Sequence, residues 1–476
     1  MKPLFLNPPT FEDFDGGAGA RYQASREVTS FWYPTWLCFP AAMIKGSRVV
    51  DAPVQKFDLE KCLEIAKDYD MVVMYTSTPT LMIDIETARR IKKIKPAIVT
   101  VLTGPHVTIL PEESLRAGKD VIDIICRGEF DYSTRELCEG RPWNDVDGIS
   151  YVKDGKIIHT PDRPMIEDLD ALPFVAPVYR RDLSIKDYVI PHFKNPYVSV
   201  YSSRGCPSKC IYCLWPQTFS GRRMRTRSPQ NVYEEIKWIT ENIPEMRELS
   251  FDDDTFTANR THAQEVARLI KPLGISWVIN ARANTDFETL KIMRDCGLRH
   301  AVVGFESGNV QILKNIKKGV TKEQALQFVK DCKKLGISIH GAFIMGLPGE
   351  TKETIAETIQ FARDMDLDSI QASLASPYPG TEFYNMCHEK GWIASDNFLD
   401  ETGHQKCVVN YPNLSNSEIF NSVEEFYNKF YFRPKYIMRS IGKMIVDSEE
   451  RKKLLGEGKQ YLQYMRKRKE ACSDCK

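Results

Sequence analysis

Two α/β domains in series, a doubly wound parallel sheet and then an open parallel barrel, followed by a helical region, make up the fold class the sequence predicts. Three observations predict it. Short apolar runs alternate with amphipathic helical patterns over residues 1–145, and again over residues 197–390. A proline-rich stretch with little periodicity separates the two series. After residue 391 the strand signals give way to helical ones.

In the first series, strands are expected at Pro3–Leu6, Ser47–Asp51, Met71–Tyr75, Ala97–Thr103 and Ile122–Cys126. Helices are expected at Trp36–Ile44, Leu59–Asp68, Leu81–Ile94 and Ser133–Glu139. In a doubly wound (Rossmann-like) sheet, ligands sit at the carboxyl ends of the strands. The loops so placed carry Thr76, Ser77 and Thr78, then Gly104, Pro105 and His106. Residues 146–196 form a hairpin, turning at Asp154-Gly155, and a linker. Gly16-Gly-Ala-Gly19 lacks the spacing and context of a dinucleotide fingerprint and reads as a loop.

The second series places strands at Val198–Ser202, Glu248–Asp252, Ser276–Asn280, His300–Gly304, Ser338–Met345 and Ser369–Leu374. Helices fit Pro229–Asn242, Arg260–Pro272, Asp286–Cys296, Lys322–Leu335 and Lys352–Met365. Successive β-α units of this kind predict a partial (β/α)6 barrel with its chemistry at the carboxyl rim.

Composition narrows the classes. The chain has 476 residues and a net charge of +1, which gives no footprint for nucleic acid. No apolar run approaches the roughly 20 residues that span a bilayer, and Met1-Lys-Pro-Leu-Phe reads as a strand rather than a leader, so a cytoplasmic protein is expected. Thirteen scattered cysteines speak for metal or redox chemistry over a disulfide framework.

The cysteines that carry chemistry are Cys206, Cys210 and Cys213, a C-x3-C-x2-C loop directly after the first barrel strand. Three thiolates on one loop suit three irons of a cubane and leave the fourth open to a ligand. The competing reading is a zinc site completed by a residue such as His192, but no second Cys-x-x-Cys knuckle lies nearby.

This loop, Tyr212 and the six β-α units resemble the radical S-adenosylmethionine (SAM) superfamily. The resemblance implies a 4Fe-4S cluster on the three cysteines, SAM on its open iron, and an external electron donor of flavodoxin or ferredoxin type. It gives roles to later strand ends. Asp252, Asp253 and Asp254 would receive the SAM ammonium group; a helix N-cap cluster before Arg260 is the plain alternative. Arg282 would pair with the carboxylate, or else form a surface salt bridge. Glu306 would hold ribose hydroxyls, or else stabilise a helix start. The Gly341–Thr351 segment, Ile344 included, would pack on adenine.

Thr103-Gly-Pro-His106, Pro111-Glu-Glu113 and Arg127-Gly-Glu129 are similar to the cobalamin-binding subgroup of that superfamily. Thr76, Ser77, Thr78, Gly104, Pro105, His106, Gly128 and Glu129 are then the expected corrin contacts. The Asp-x-His-x-x-Gly signature for cobalt ligation is missing, so His106 reads as structural. The strings Phe5-Leu-Asn-Pro-Pro9, Phe14-Asp-Gly-Gly-Ala-Gly19 and Phe31-Trp-Tyr-Pro-Thr-Trp36 resemble the hopanoid-biosynthesis branch. That resemblance implies an amphiphilic hopanoid glycoside as substrate and contraction of its hexosamine ring to a cyclitol ether.

Competing readings are methyl transfer from methylcobalamin, methylthiolation, and a non-catalytic sensor. Methylthiolation needs a second cluster, for which Cys38, Cys62, Cys126 and Cys138 are poorly grouped. Near the C-terminus, aromatic and basic residues interleave over Phe426–Tyr436 and continue into Ile437–Val446. That pattern suits an interfacial helix at the inner face of a membrane, a gate for an amphiphilic substrate, or ordinary helical core.

Overall fold

The computed structural model describes residues 1–11, Phe14, Ala18, 24–446 and 448–473. Apart from Ala18, the Gly16–Gly19 string lies outside them, as does Cys475.

The first sheet contains β1 (Pro3–Asn7), β2 (Arg48–Asp51), β3 (Met71–Tyr75), β4 (Val99–Thr103) and β5 (Ile124–Cys126). All are parallel in the order β2-β1-β3-β4-β5. The order reverses between β1 and β3, which opens a crevice at their carboxyl ends. The expected hairpin, β6 (Ile149–Lys153) and β7 (Lys156–His159), extends this sheet antiparallel to β5. Its turn puts Asp154 and Gly155 at φ 51° and 72°, as a two-residue primed turn requires.

Side-chain alternation decides what each face of the sheet meets. Leu4, Leu6, Val72 and Met74 pack on the helices Leu59–Ala66 and Leu81–Ile94. Phe5, Val73, Tyr75 and Val101 face the other way and join the core that continues into the barrel. Between the domains lies the helix Thr35–Met43, with Trp36, Leu37, Cys38 and Phe39 all buried. It is apolar all round because it has sheet on one side and barrel on the other.

The barrel strands are β8 (Tyr197–Val200), β11 (Glu248–Phe251), β12 (Trp277–Ala281), β13 (Leu298–Glu306), β14 (Ser338–Met345) and β15 (Ser369–Leu374). A two-residue ladder, β9 (Ser203–Arg204) with β10 (Arg225–Thr226), follows the first of them. The six strands run parallel in sequence order and remain open. Local signals account for the helices between them. Lys322–Leu335, for instance, starts on a Thr321/Gln324 capping box and stops at Gly336, φ 68°.

An open barrel leaves β15 as an edge whose backbone groups need partners. The helix Asn416–Tyr431 and the chain before it supply them. Tyr431 Oη accepts from Ile370 N (2.9 Å) and donates to Ile370 O (2.9 Å). Tyr427 Oη accepts from Ala372 N (3.0 Å), and the Gln405 amide bonds both Leu374 N (3.1 Å) and Leu374 O (2.9 Å). Every second residue along the edge is thus closed by a side chain.

The helices Pro434–Val446 and Ser448–Ser473 complete the C-terminal region. The first is tied to Asp366, which precedes β15 and so lies at the amino end of the barrel. It therefore does not gate the cysteine rim, correcting that expectation. Among the described residues no helix is long and apolar enough to cross a membrane.

Candidate active site at the barrel rim

The cysteine loop is held by its neighbours. Gly205, at φ 90°, could not carry a side chain, since a Cβ there would sit 2.4 Å from Arg223 O. Cys206 N donates to Gly221 O (3.1 Å), and Ile211 N to Ile316 O (3.1 Å). Gln217 Nε2 donates to the carbonyls of Ile211 (3.0 Å) and Cys213 (2.7 Å). Cys206 and Cys210 are buried and Cys213 is half-buried, with Cys206 Sγ 3.5 Å from Thr255 Oγ1. No three His, Cys, Asp or Glu side chains among the described residues are grouped to hold a single metal ion. A cubane asks for something different, one thiolate at each of three irons, and this donor set fits it. The alternative zinc ligand, His192, stacks on His340 4.1 Å away. His340 lies near the amino end of β14, so His192 sits at the far end of the barrel.

Around the loop the structure redistributes the expected roles. Asp253 is fully buried and accepts from Ser202 N (3.2 Å), Ser202 Oγ (2.9 Å) and Ser203 Oγ. Burial pushes its carboxyl up to about 6. Asp252, also buried, accepts from Tyr201 Oη at 2.9 Å. These two acids fasten the root of the cysteine loop and are not placed to receive an ammonium group. Asp254 is half-buried and accepts from Ser220 Oγ at 3.0 Å.

Arg282 reaches the loop itself. Its guanidinium bonds Ser208 Oγ, between Cys206 and Cys210, and Lys318 O at 2.8 Å. Glu306 ends β13 at φ 65°, a strained conformation for a residue with a side chain. Its Oε1 takes the Lys318 ammonium at 2.8 Å, both side chains being buried. Burial, and next the adjacent Glu306 charge, raise the Tyr212 phenol well above its ordinary range. Lys318 escaped the sequence reading, although a buried acid at a strand end implies a cation nearby. Ile344 is half-buried near the end of β14, on the face that Gly304, Ala342, Gln371 and Ser373 also line. These half-buried, mostly small residues leave the barrel interior accessible. At the close of the Gly341–Thr351 segment, burial raises Glu350 to about 8, so it is protonated near neutrality. It accepts from Gly346 N (2.6 Å) and Leu347 N (3.1 Å).

In the first domain, Gly104 must lack a side chain, because a Cβ would meet Thr76 O at 2.6 Å. Pro105 and His106 begin the short helix after it, and both are buried. His106 Nδ1 pairs with Thr78 Oγ1 (3.1 Å), and burial lowers the imidazole to about 4, so it is neutral. Its buried Nε2 has no partner among the described residues. That orphaned nitrogen at the carboxyl end of β4 fits a bound polar cofactor. Thr76 and Ser77 are fully buried, and Ser77 is used inside the protein, pairing with Thr80 Oγ1 at 3.0 Å. Gly128 N donates to Thr108 Oγ1 at 3.0 Å.

Glu129 requires a correction. Both its oxygens are taken by Arg225, at 2.7 and 2.8 Å, and Ile166 N also donates to it at 2.8 Å. Two residues on, Asp131 grips Arg204 through two bonds of 2.9 and 3.0 Å. The Arg204 guanidinium lies over Trp36 (4.5 Å) and Phe39 (4.4 Å). Arg204 precedes the cysteine loop by two residues. Glu129 is therefore a strut between the domains rather than a corrin contact.

A family model described as "B12 binding domain" matches residues 24–138, and one described as "Radical SAM superfamily" matches 200–362. An uncharacterized methyltransferase of Pyrococcus horikoshii is 32% identical over 456 residues, covering 93% of this chain and 95% of that one. The chain belongs to the radical SAM superfamily, with a cobalamin-binding domain.

An anaerobic magnesium-protoporphyrin IX monomethyl ester cyclase of Rubrivivax gelatinosus is 28% identical and covers 97% of this radical SAM chain and 82% of its own. The fold is that of the methyltransferase TsrM from Kitasatospora setae, solved with cobalamin and a [4Fe-4S] cluster. The TM-score is 0.68 at 14% identity, covering 98% of this chain and 100% of that one. The cofactors of this radical SAM enzyme are a [4Fe-4S] cluster, SAM and cobalamin. Cys206, Cys210 and Cys213 would hold the cluster, the Arg282 and Glu306 region SAM, and the β3 and β4 loops with His106 the corrin.

Proposed function

We propose that this radical SAM enzyme contracts the hexosamine ring of an amphiphilic hopanoid glycoside, a bacteriohopanetetrol derivative, to a cyclitol ether. The observation that carries the reading is the likeness of the strings 5–9, 14–19 and 31–36 to the hopanoid branch. In the fold, Trp36 lies buried against Trp215 (5.5 Å) and Phe219 (4.6 Å) beside the cysteine loop. The Rubrivivax relative, named a cyclase, supports ring chemistry on this scaffold.

When bound, the cofactors supply a hydrogen-abstracting radical and a one-electron or methyl carrier. The chain's part is to orient and to shield. The aromatic wall of Trp36, Trp215 and Phe219 excludes water from the seam between the domains, where a radical would be quenched. Lys318 pairs with Glu306 at the rim, and protonated Glu350 holds the turn after β14 without adding charge. Ala342 and Ser373, both half-buried, leave room for a sugar head group. Cys213, the least buried of the three cysteines, is the point of approach for a flavodoxin- or ferredoxin-type donor in the cytoplasm.

Methyl transfer is the second reading, favoured by the Pyrococcus relative and the TsrM-like fold. Anaerobic turnover of aminohexosyl bacteriohopanetetrol separates the two. Ring contraction yields 5′-deoxyadenosine and a product with no added carbon. Stoichiometric S-adenosylhomocysteine with a product heavier by one methyl overturns the proposal in favour of the second reading.

A further inference from the structure

We propose that Arg282 and Arg222 are the fixed counter-charges of the iron–sulfur cluster, positioning residues that hold the middle of the cysteine loop and raise the cluster's reduction potential. Both converge on Ser208, which stands between Cys206 and Cys210. The Arg282 guanidinium donates to Ser208 Oγ, and Arg222 Nη1 donates to Ser208 O.

Each arginine is fixed from behind. Arg282 directly follows β12, where its backbone N donates to Thr257 Oγ1 (3.2 Å) and its carbonyl accepts from Thr285 N (3.1 Å). Its Nη2 continues to Lys318 O (2.8 Å) and Gly319 O (3.3 Å). The carbonyl of Ile316, in the same turn, accepts from Ile211 N at 3.1 Å. The loop is thus clamped to that turn at two points, on either side of Cys210. Arg222 follows Gly221, whose carbonyl takes Cys206 N at 3.1 Å.

Charge singles these two out. Arg204, Arg225 and Arg227, buried around the same loop, each have a carboxylate, on Asp131, Glu129 and Glu235. Arg222 and Arg282 are half-buried and bond only hydroxyl and carbonyl oxygens. Among the described residues neither has a carboxylate at ion-pair distance. A partly desolvated cation calls for an anion. The loop they hold supplies three, because Cys206, Cys210 and Cys213 are thiolates when they carry iron. Reduction moves one electron from the external donor to the cluster, with no bond made or broken and no proton transferred. The negative charge at the loop therefore rises by one, and fixed positive charge stabilises the reduced state more than the oxidised one. The inference rests on the [4Fe-4S] assignment and holds for ring contraction and methyl transfer alike.

An electron-spin redox titration of the full chain, with cluster and cobalamin bound and SAM absent, tests it. Arg282→Gln should lower the ratio of reduced to oxidised cluster at a given potential about tenfold, a downward shift of about 59 mV for one electron. Arg222→Gln should lower it about threefold, and Arg282→Lys, which keeps the charge, should stay within about twofold of the parent. Unchanged iron content and thermal unfolding show that the loop is assembled. Parent-like potentials in both glutamine variants overturn the proposal, even where Arg282→Gln weakens SAM binding, since the guanidinium would then serve the SAM carboxylate alone. A fall that Arg282→Lys shares in full also overturns it, because charge would not be the cause. If Arg282→Gln assembles no cluster, Arg222→Gln decides: a lowered potential supports the proposal and an unchanged one overturns it.

Discussion

At the carboxyl rim of the barrel, three buried ion pairs stand beside the cysteine loop; at the amino end, three imidazoles give up their charge and stack, next to one ion pair, buried Glu248 with Arg299. The rim holds Glu306 with Lys318, Asp131 with Arg204, and Glu129 with Arg225, all buried. The amino end holds three imidazoles. His192 stacks 4.1 Å from His340 with the ring planes nearly parallel at 9°, and lies 4.9 Å from His300. The Nδ1 atoms of His300 and His340 pair with Ser338 (2.7 Å) and Ser369 (2.8 Å). Burial pushes all three below the usual histidine range, His340 to about 4. For His192 and His300 the neighbouring imidazoles, Lys453 and Arg299 add to this, and for His340 the added cation is Arg26. A buried charge is costly unless its partner is in place. The chain accepts that cost where an opposite charge is in place, at the rim and in Glu248–Arg299 alike, and keeps neutral the buried groups that lack one, the imidazoles and Glu350.

The contrast breaks most completely at the cysteine loop. Cys210→Ala should abolish cluster absorbance and all SAM cleavage while leaving corrin binding intact, read by iron analysis, 5′-deoxyadenosine formation and bound cobalamin. Retained cleavage would remove the loop from the chemistry.

At the seam, Asp131→Asn leaves Arg204 buried against Trp36 with half its compensation gone. The expected loss in denaturant unfolding is about 3–5 kcal/mol. Replacing both partners with apolar residues, Asp131→Leu with Arg204→Met, should recover much of it. A loss under 1 kcal/mol for the single change would mean water reaches the pair.

The amino end should respond to acid instead. The histidines are neutral when folded and titrate near 6.5 when unfolded, so unfolding takes up protons. Stability is therefore full above about pH 6.5 and falls as pH drops from there towards 4. His300→Phe should flatten the pH 5–7 dependence by about 1–2 kcal/mol in thermal or chemical unfolding. An unchanged slope would contradict the neutral stack.

Periodicity and caps made the framework legible. Leu81–Ile94, Lys322–Leu335, Ser338–Met345 and Lys352–Met365 begin and end where expected, because Thr321 and Thr351 announce their helices locally. The cysteine spacing was equally local. What escaped the sequence was pairing across distance. Arg204 and Asp131 are 73 residues apart, Arg225 and Glu129 are 96, and no short-range pattern links them. Asp252 and Asp253 show the reverse error. Three consecutive acids suggested a ligand site, but strand alternation and a sharp exit turn two of them inward onto Ser202 and Tyr201.

The central claim is that this buried lattice of two arginines and two acids holds the cobalamin domain against the cluster loop. Electron-spin measurement of the coupling between reduced cluster and cob(II)alamin tests it most directly. In the parent enzyme the two signals should interact. In Asp131→Asn both cofactors should bind stoichiometrically while the interaction weakens and turnover falls. Full occupancy with unchanged coupling and unchanged turnover in that variant would contradict the account.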